Sequence, residues 1–333
     1  MEIINGVERL PVSGQALYLA LGNFDGVHRG HQMIIRKTIE AAKKYGGISA
    51  ALIFDPHPVI SLHPERPFVL LSELADRAEI MSELGLQYLI VEPFTAEISH
   101  LSPEHFVLNY LLDKLHVKTV FTGSDYSFGK QGTGSAETMR YWGEKLGFTV
   151  DVSPMLKYRG REVSSSRVRT LLLSGAVKEA AELLNYYFFR TGKVIKGYGI
   201  GKQMVYPTAN IAASPRLLWP GRGVYLTAVG NLNGGYLFGV TNVGSRPTFS
   251  RYDTSVETHI LDFSGTIYNY SIRLLFIEKL RDTKTFSSPQ QLKEQIRLDI
   301  EAGRKLIPYF KQATNGSSTP LQSGCSVLRS LKE

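Results

Sequence analysis

The first half of the chain alternates between continuous apolar runs and amphipathic runs. Residues 18–23, 50–54, 87–91, 117–122 and 148–152 read as strands, several of them apolar nearly throughout, as strands buried on both faces are. Between them, residues 33–44, 72–84, 103–115 and 138–146 place apolar side chains at helical spacing. The helix at 33–44 stops at Gly46-Gly47, and the one at 103 starts on Ser102 as N-cap with Pro103 in the first helical position. Strand and helix taking turns predict a parallel sheet covered on both faces, an α/β fold.

The texture changes near Asn185. Runs of period two follow at 223–229 and 236–242, joined across Asn233-Gly234, a strong hairpin signal. Further strands are predicted at 256–261 and 270–277, and then a single amphipathic helix over 289–305. Several short strands and one helix predict a small β-barrel with a C-terminal helix. Helical stretches at 167–173 and 177–184 bridge the halves, and the polar stretch after residue 312 is expected to be disordered. The resulting division is 1–185, 186–311 and a tail of 312–333.

With 333 residues, each half is long enough to bury its own core. The single cysteine, Cys325, excludes an intrachain disulfide framework or a cysteine zinc site. The start carries no basic region followed by an apolar core, and no run has the length of a membrane span, so a cytoplasmic protein is expected. The net charge of +8 and pI near 9.3 suit either nucleic acid or anionic small ligands. No block of basic residues supports the nucleic-acid alternative.

Three motifs in the first half suggest phosphate chemistry. The first predicted strand runs into Gly22-Asn23-Phe24-Asp25-Gly26-Val27-His28-Arg29-Gly30-His31 and then a helix. Glycines let backbone approach a phosphate, and a helix N-terminus favours negative charge. His28 and His31 at that position can stabilise charge on a phosphoryl group. The alternatives are a plain glycine-rich turn and a metal pair, for which no third ligand is evident. Asp125 lies in a glycine-containing loop, residues 123–129, at the end of another strand, where α/β sheets bind ligands. Ser164-Ser165-Ser166-Arg167-Val168-Arg169 opens a helix and can hold a pyrophosphate, or serve only as an N-cap with solvated arginines. No P-loop motif occurs.

The second half opens with Gly197, Gly199, Gly201 and Lys202, a candidate flap over phosphates. Thr208 and Asn210, within Pro207-Thr208-Ala209-Asn210, offer hard oxygen ligands suited to Mg²⁺, or form only a turn. Arg246 and then Glu257 and His259 follow, the last two on one strand face by period two. Glu257 reads on its own as an outward-facing strand carboxylate, and His259 as a core histidine.

Together these motifs resemble the bacterial bifunctional riboflavin kinase/FAD synthetase family, over roughly residues 15–310. The resemblance implies a Rossmann-like nucleotidyltransferase domain followed by a flavokinase barrel. It also implies ATP, Mg²⁺ and the flavins riboflavin, FMN and FAD as ligands, with no nucleic-acid or membrane partner. By that resemblance His28 and His31 handle the ATP phosphates, with Gly22, Phe24, Asp25, Gly26 and Gly30 around them. Asp125 lies near the nucleotide, and Ser165, Ser166, Arg167 and Arg169 at the phosphates. In the second module Thr208 and Asn210 bind the metal, and Glu257 takes the proton of the riboflavin hydroxyl. The alternatives are a chain that performs only adenylyl transfer, its barrel a flavin scaffold, and a flavin-responsive regulator. The chain departs from the family at Ile53, expected to change the polarity of the flavin pocket, at Ser166, which keeps a hydroxyl, at Val205, where a glycine is usual, and at Thr283 and Thr285.

Overall fold

The structure is a computed structural model, and it describes residues 1–11, 14–196, 206–232, 235–245 and 254–315. The chain divides into two compact units, Met1–Ser165 and Ser166–Glu333.

The first unit is built on a six-stranded sheet: β1 (Glu2–Asn5), β2 (Leu17–Leu21), β3 (Ile48–Asp55), β4 (Tyr88–Pro93), β5 (Val117–Gly123) and β6 (Thr149–Ser153). Its order is β1-β4-β3-β2-β5-β6, and every neighbouring pair is parallel. Strand β2 is buried along its whole length, as its unbroken apolar run requires. The order reverses between β2 and β5, and ligands of open α/β sheets bind outside the carboxyl ends of strands at such a point. The helices are α1 (Arg29–Tyr45), α2 (Pro58–Leu62), α3 (Leu74–Leu84), α4 (Ala96–His100), α5 (Pro103–Phe106) and α6 (Ala136–Leu146). The helix expected over 103–115 is α-helical only to Phe106 and continues as a π-helix over Val107–Lys114. A two-residue hairpin, β7 (Lys157–Tyr158) with β8 (Arg161–Glu162), precedes the division.

The second unit begins with α7 (Ser165–Leu173) and α8 (Val177–Leu184). It closes a barrel from β9 (Phe189–Ile195), β10 (Ala209–Ile211), β11 (Gly223–Leu232), β12 (Gly235–Ser245), β13 (Thr254–Ile260) and β14 (Ser271–Arg281). The order is β10-β13-β12-β11-β14-β9, antiparallel throughout. The pairing of Leu232 with Gly235 is the hairpin expected there, although Asn233 and Gly234 themselves lie outside the described residues. Alternation sends Val256, Thr258 and Ile260 inward. Thr227, Thr241 and Thr258 meet inside the barrel, all fully buried, with hydroxyls 2.8 and 2.9 Å apart. Helix α9 (Pro289–Asn315) lays Ile300 and Ile307 on Val224 and Val240 of the barrel's outer face. Buried Asp299 of α9 accepts two hydrogen bonds from Arg281, both 2.7 Å. Helix α9 runs beyond residue 312, where the polar tail was expected to begin, and residues 316–333 lie outside the described residues.

Candidate functional sites

The loop from β2 to α1 is held from several directions. Phe24, Gly26 and Val27 all have positive φ, at 50°, 77° and 32°. Such a backbone is costly for Phe and Val and persists only where the surroundings determine it. The determinants are hydrogen bonds. The Asp25 carboxylate, 3% exposed, accepts from the Leu71 and Ser72 amides at 3.0 Å and from the Ser72 hydroxyl at 3.1 Å. The Gly26 amide donates to Ser72 Oγ, and Gln32 Nε2 donates to the Val27 carbonyl, both 2.8 Å. Ser165 Oγ donates to the Asp25 carbonyl at 2.9 Å. A Cβ on Gly26 would stand 2.9 Å from Leu71 Cδ1, so position 26 needs glycine for space as well as for φ. Arg77 on α3 is fully buried, and its Nη1 donates to the Asn23 carbonyl at 2.9 Å.

This frame sets His28 as the N-cap of α1, its Nδ1 accepting from the His31 amide at 3.3 Å. The two imidazoles stack with centroids 3.6 Å apart, and Phe24 meets His31 edge-on at 5.3 Å. His31 Nδ1 is buried and has no hydrogen-bond partner among the described residues. Burial pushes the His31 pKa well below the ordinary 6.5, and the positive charges of His28 and Arg77 add to the shift. An imidazole pair at a helix N-terminus, beside glycine backbone, is suited to receive a phosphate. Phe24 and Asp25, expected among the nucleotide-binding residues, are both buried within the loop, which they shape. Their chemistry is used on protein groups because the positive-φ loop needs it.

Gly22 and Asn23 of the loop also line a cavity of about 680 Å³, with Leu52, Phe54, Phe106 and Phe128 among its walls. Its size and its aromatic lining suit a flat heteroaromatic ligand. Phe54 faces this cavity, whereas Ile53, one residue earlier on β3, is fully buried and lines none of it. The expected change in pocket polarity at Ile53 is therefore corrected: period two turns that side chain into the core. Asp125 is exposed at the carboxyl end of β5, beside β2, and Tyr126 next to it lines the cavity. A Cβ on Gly123 would stand 2.7 Å from Asp125 Oδ1, so the glycine leaves room for that carboxylate. Ser166, Arg167 and Arg169 follow on α7, counted with the second compact unit. Sequence reasoning missed Ser72, Arg77 and the aromatic walls. An arginine on the apolar face of α3, one residue before Ala78 and three before Ile80, was the available signal for Arg77.

In the second unit, Asn210 of β10 pairs with Glu257 of β13, and Glu257 pairs with Asn242 of β12. Paired residues share a face, so the three polar side chains form a row on the outer face of the barrel. The row continues to Val224, which α9 covers, and to Arg281. Ser255 Oγ donates to Glu257 Oε1 at 3.2 Å. Thr208 lies two residues before Asn210 and is half-buried. His259 shares the outer face with Glu257, and its Nδ1 lies 2.9 Å from the Pro207 carbonyl. The core reading of His259 is thus corrected: it faces outward because β13 alternates and Thr258 takes the interior position. Thr283 and Thr285 are exposed. Gly197, Gly199, Gly201, Lys202, Val205 and Arg246 lie outside the described residues. Among the described residues there is no cluster of His, Cys, Asp or Glu that could by itself hold a metal, and no helix long and apolar enough to cross a membrane.

The chain thus pairs a parallel α/β sheet, with two imidazoles at its switch point, with a closed barrel that carries a polar row, a two-module architecture suited to phosphate chemistry. Comparison with known proteins gives the particular case. The FAD synthetase family pattern matches residues 11–167, and the riboflavin kinase pattern matches residues 184–307. The bifunctional riboflavin kinase/FMN adenylyltransferase of Pseudomonas fluorescens is 34% identical over 307 residues, covering 92% of this chain and 98% of its own. That of Listeria monocytogenes is 36% identical over 288 residues, covering 86% and 91%. A crystal structure described as a macrolide-efflux protein from Streptococcus pneumoniae shares the fold with a TM-score of 0.82 at 28% identity, covering 91% of this chain and 98% of its own. The chain belongs to the bifunctional riboflavin kinase/FMN adenylyltransferase family. It is an enzyme that phosphorylates riboflavin to FMN and adenylylates FMN to FAD, with ATP as the donor.

Proposed function

We propose that the two reactions run at the two separate sites described above. Adenylyl transfer uses the His28/His31 loop and the aromatic cavity. The flavin ring lies in the cavity, and its phosphate reaches the N-terminus of α1. A phosphate oxygen of FMN attacks the α-phosphorus of ATP, and pyrophosphate leaves. Because His28 Nδ1 accepts the His31 amide, its proton belongs on Nε2. That N–H and the His31 ring donate to oxygens that gain charge during attack. Asp25 and Arg77 keep the loop in shape and take no proton.

Phosphoryl transfer uses the outer-face row of the barrel. Glu257 accepts the proton of the riboflavin primary hydroxyl as its oxygen attacks the γ-phosphorus. Thr208 and Asn210 supply neutral hard oxygens, a donor set that fits Mg²⁺, which keeps most of its shell as water and phosphate oxygens. When bound, the ion neutralises charge on the phosphate oxygens. The single observation that supports this reading is the register of Asn210 directly opposite Glu257, two residues whose side chains offer an amide oxygen and a carboxylate on one face. The reaction belongs in the cytoplasm, where ATP is at hand.

Glu257→Gln tests the separation in the full chain. Its shape is kept and its proton acceptance lost, so FMN formation from riboflavin is expected to fall about 10²–10⁴-fold. FAD formation from supplied FMN stays at the wild-type rate. His28→Ala and His31→Ala give the converse pattern, with FAD formation down about 10²–10³-fold each. Loss of both reactions in a folded Glu257→Gln protein overturns the two-site assignment.

A further inference from the structure

We propose that His259 is a positioning residue for the phosphoryl-transfer site: it clamps the Pro207–Asn210 segment through the Pro207 carbonyl and so fixes where Thr208 and Asn210 stand relative to Glu257. The proposal rests on the reading of Thr208, Asn210 and Glu257 given above.

Strand β10 is only three residues long, and its ladder with β13 covers Ala209–Thr258, Asn210–Glu257 and Ile211–Val256. The next pair outward would be Thr208 with His259, and no ladder pair is formed there. Pro207 has no N–H to offer a strand. Backbone pairing therefore ends at the residue where the metal-binding segment begins. The side chain of His259 takes over at that point. Its Nδ1 lies 2.9 Å from the Pro207 carbonyl, and its ring meets the ring of Tyr206 edge-on at 5.4 Å. A carbonyl can only accept, so Nδ1 carries the proton and donates. The clamp holds in both the neutral and the protonated imidazole, because Nδ1–H is present in each.

The same strand therefore presents two outer-face side chains with different tasks. Glu257 faces Asn210 across the ladder, and two residues on, His259 holds the chain that leads into Asn210. On the other side of His259, strand β12 contributes Val240, which packs under α9. The strand position that carries the ring is thus paired to a covered strand, and a rigid support is what a positioning contact needs. Loss of the contact frees Pro207 and Thr208, whose remaining ties to β13 begin only at Ala209. Oxygen ligands that must be ordered at binding cost affinity for the metal–nucleotide complex before they cost folding.

The test uses the full chain and three variants. His259→Phe keeps the ring and removes the donor. His259→Asn removes the ring but places an amide N–H close to where Nδ1 was. Asn210→Ala serves as the control for the underlying reading. For riboflavin phosphorylation, His259→Phe is expected to raise the KM for Mg²⁺-ATP about tenfold, the size of one lost hydrogen bond. The KM for riboflavin stays within twofold, FAD formation from supplied FMN is unchanged, and His259→Asn restores most of the Mg²⁺-ATP KM. A wild-type Mg²⁺-ATP KM in His259→Phe, while Asn210→Ala raises it, overturns the clamp and leaves the site reading intact. A wild-type Mg²⁺-ATP KM in Asn210→Ala overturns the reading beneath it. Equal losses in His259→Phe and His259→Asn, matched by equal drops in Tm, make the residue structural only and also overturn the proposal.

Discussion

At the scale of single residues, the charge state of His31 is set before any ligand arrives. Its ring lies under Phe24 and against His28, and fully buried Arg77 adds positive charge nearby. A histidine with a folded pKa below its unfolded 6.5 stabilises the fold above pH 6.5, and that stability is lost as pH falls toward the folded value. The unfolded chain binds the proton that the folded chain refuses. Wild-type protein is therefore expected to lose urea resistance between pH 7.5 and 5.5, and His31→Gln to lose less over the same interval. Parallel curves for the two proteins would contradict the assigned shift. The place of the histidines at a helix start was legible in the sequence, because a glycine-rich turn leads there from an apolar run into an amphipathic one. Arg77 was not legible, since a helical arginine is solvated far more often than buried. Only the Asn23 carbonyl and the neighbouring carboxylates, which approach it in the folded chain, make its burial tolerable.

At the scale of elements, long strands and helices could be read because their periods repeat several times. Strand β2 and helix α1 lie within a few residues of the expected positions. Short elements could not be read. Strand β1 has four residues with one buried, and β10 has three, so neither completes a pattern before ending. Helix α9 docks through apolar side chains and one buried ion pair together. Ile300, Ile307 and buried Phe310 supply its apolar contacts, and Asp299 is buried and joined to Arg281 by two 2.7 Å hydrogen bonds, with a third from Gln295 at 2.9 Å. Asp299→Ala strands the half-buried guanidinium, and a loss of about 3 kcal/mol is expected, as for other broken buried pairs. Chemical unfolding of the second unit measures it. Asp299→Asn keeps the shape and part of the hydrogen bonding and should lose less. Equal stability in wild type and Asp299→Ala would show that apolar packing alone holds α9.

At the scale of the whole molecule, the change of texture at Asn185 falls between α8 and β9, as the sequence suggests, but α7 and α8 group with the barrel. The reason is packing. Val177, Leu183 and Leu184 of α8 are buried, and the Gly221 amide donates to the Leu172 carbonyl of α7 at 2.8 Å. A Cβ on Gly221 would stand 2.0 Å from the Leu173 carbonyl oxygen, so the loop before β11 is fitted to the end of α7. A fragment of residues 166–315 is therefore expected to fold, to phosphorylate riboflavin and to resist urea better than a fragment of 186–311. The same midpoint in both would mean that α7 and α8 add nothing to the barrel.

The threonines inside the barrel give the closed sheet a one-way current of hydroxyl protons. Thr227 Oγ1 donates to the Gly239 carbonyl at 3.2 Å, which spends its only proton. It must then accept from Thr241, and Thr241 must accept from Thr258. Thr258 on β13 thus donates to Thr241 on β12, Thr241 donates to Thr227 on β11, and Thr227 turns back to the Gly239 carbonyl of β12. Such a chain has a head and a tail, and the two ends are unequal. Thr258→Val removes only the first giver, and Thr241 merely loses an incoming bond. Thr227→Val removes the last receiver, so the Thr241 proton stays bonded only by turning back on Thr258, whose own proton is then displaced. The order of stability is expected to be wild type, then Thr258→Val, then Thr227→Val, the last lower by about 1–3 kcal/mol because a buried donor is stranded. Urea unfolding of the three proteins reads the direction of the current, and a reversed order would mean that the protons run the other way.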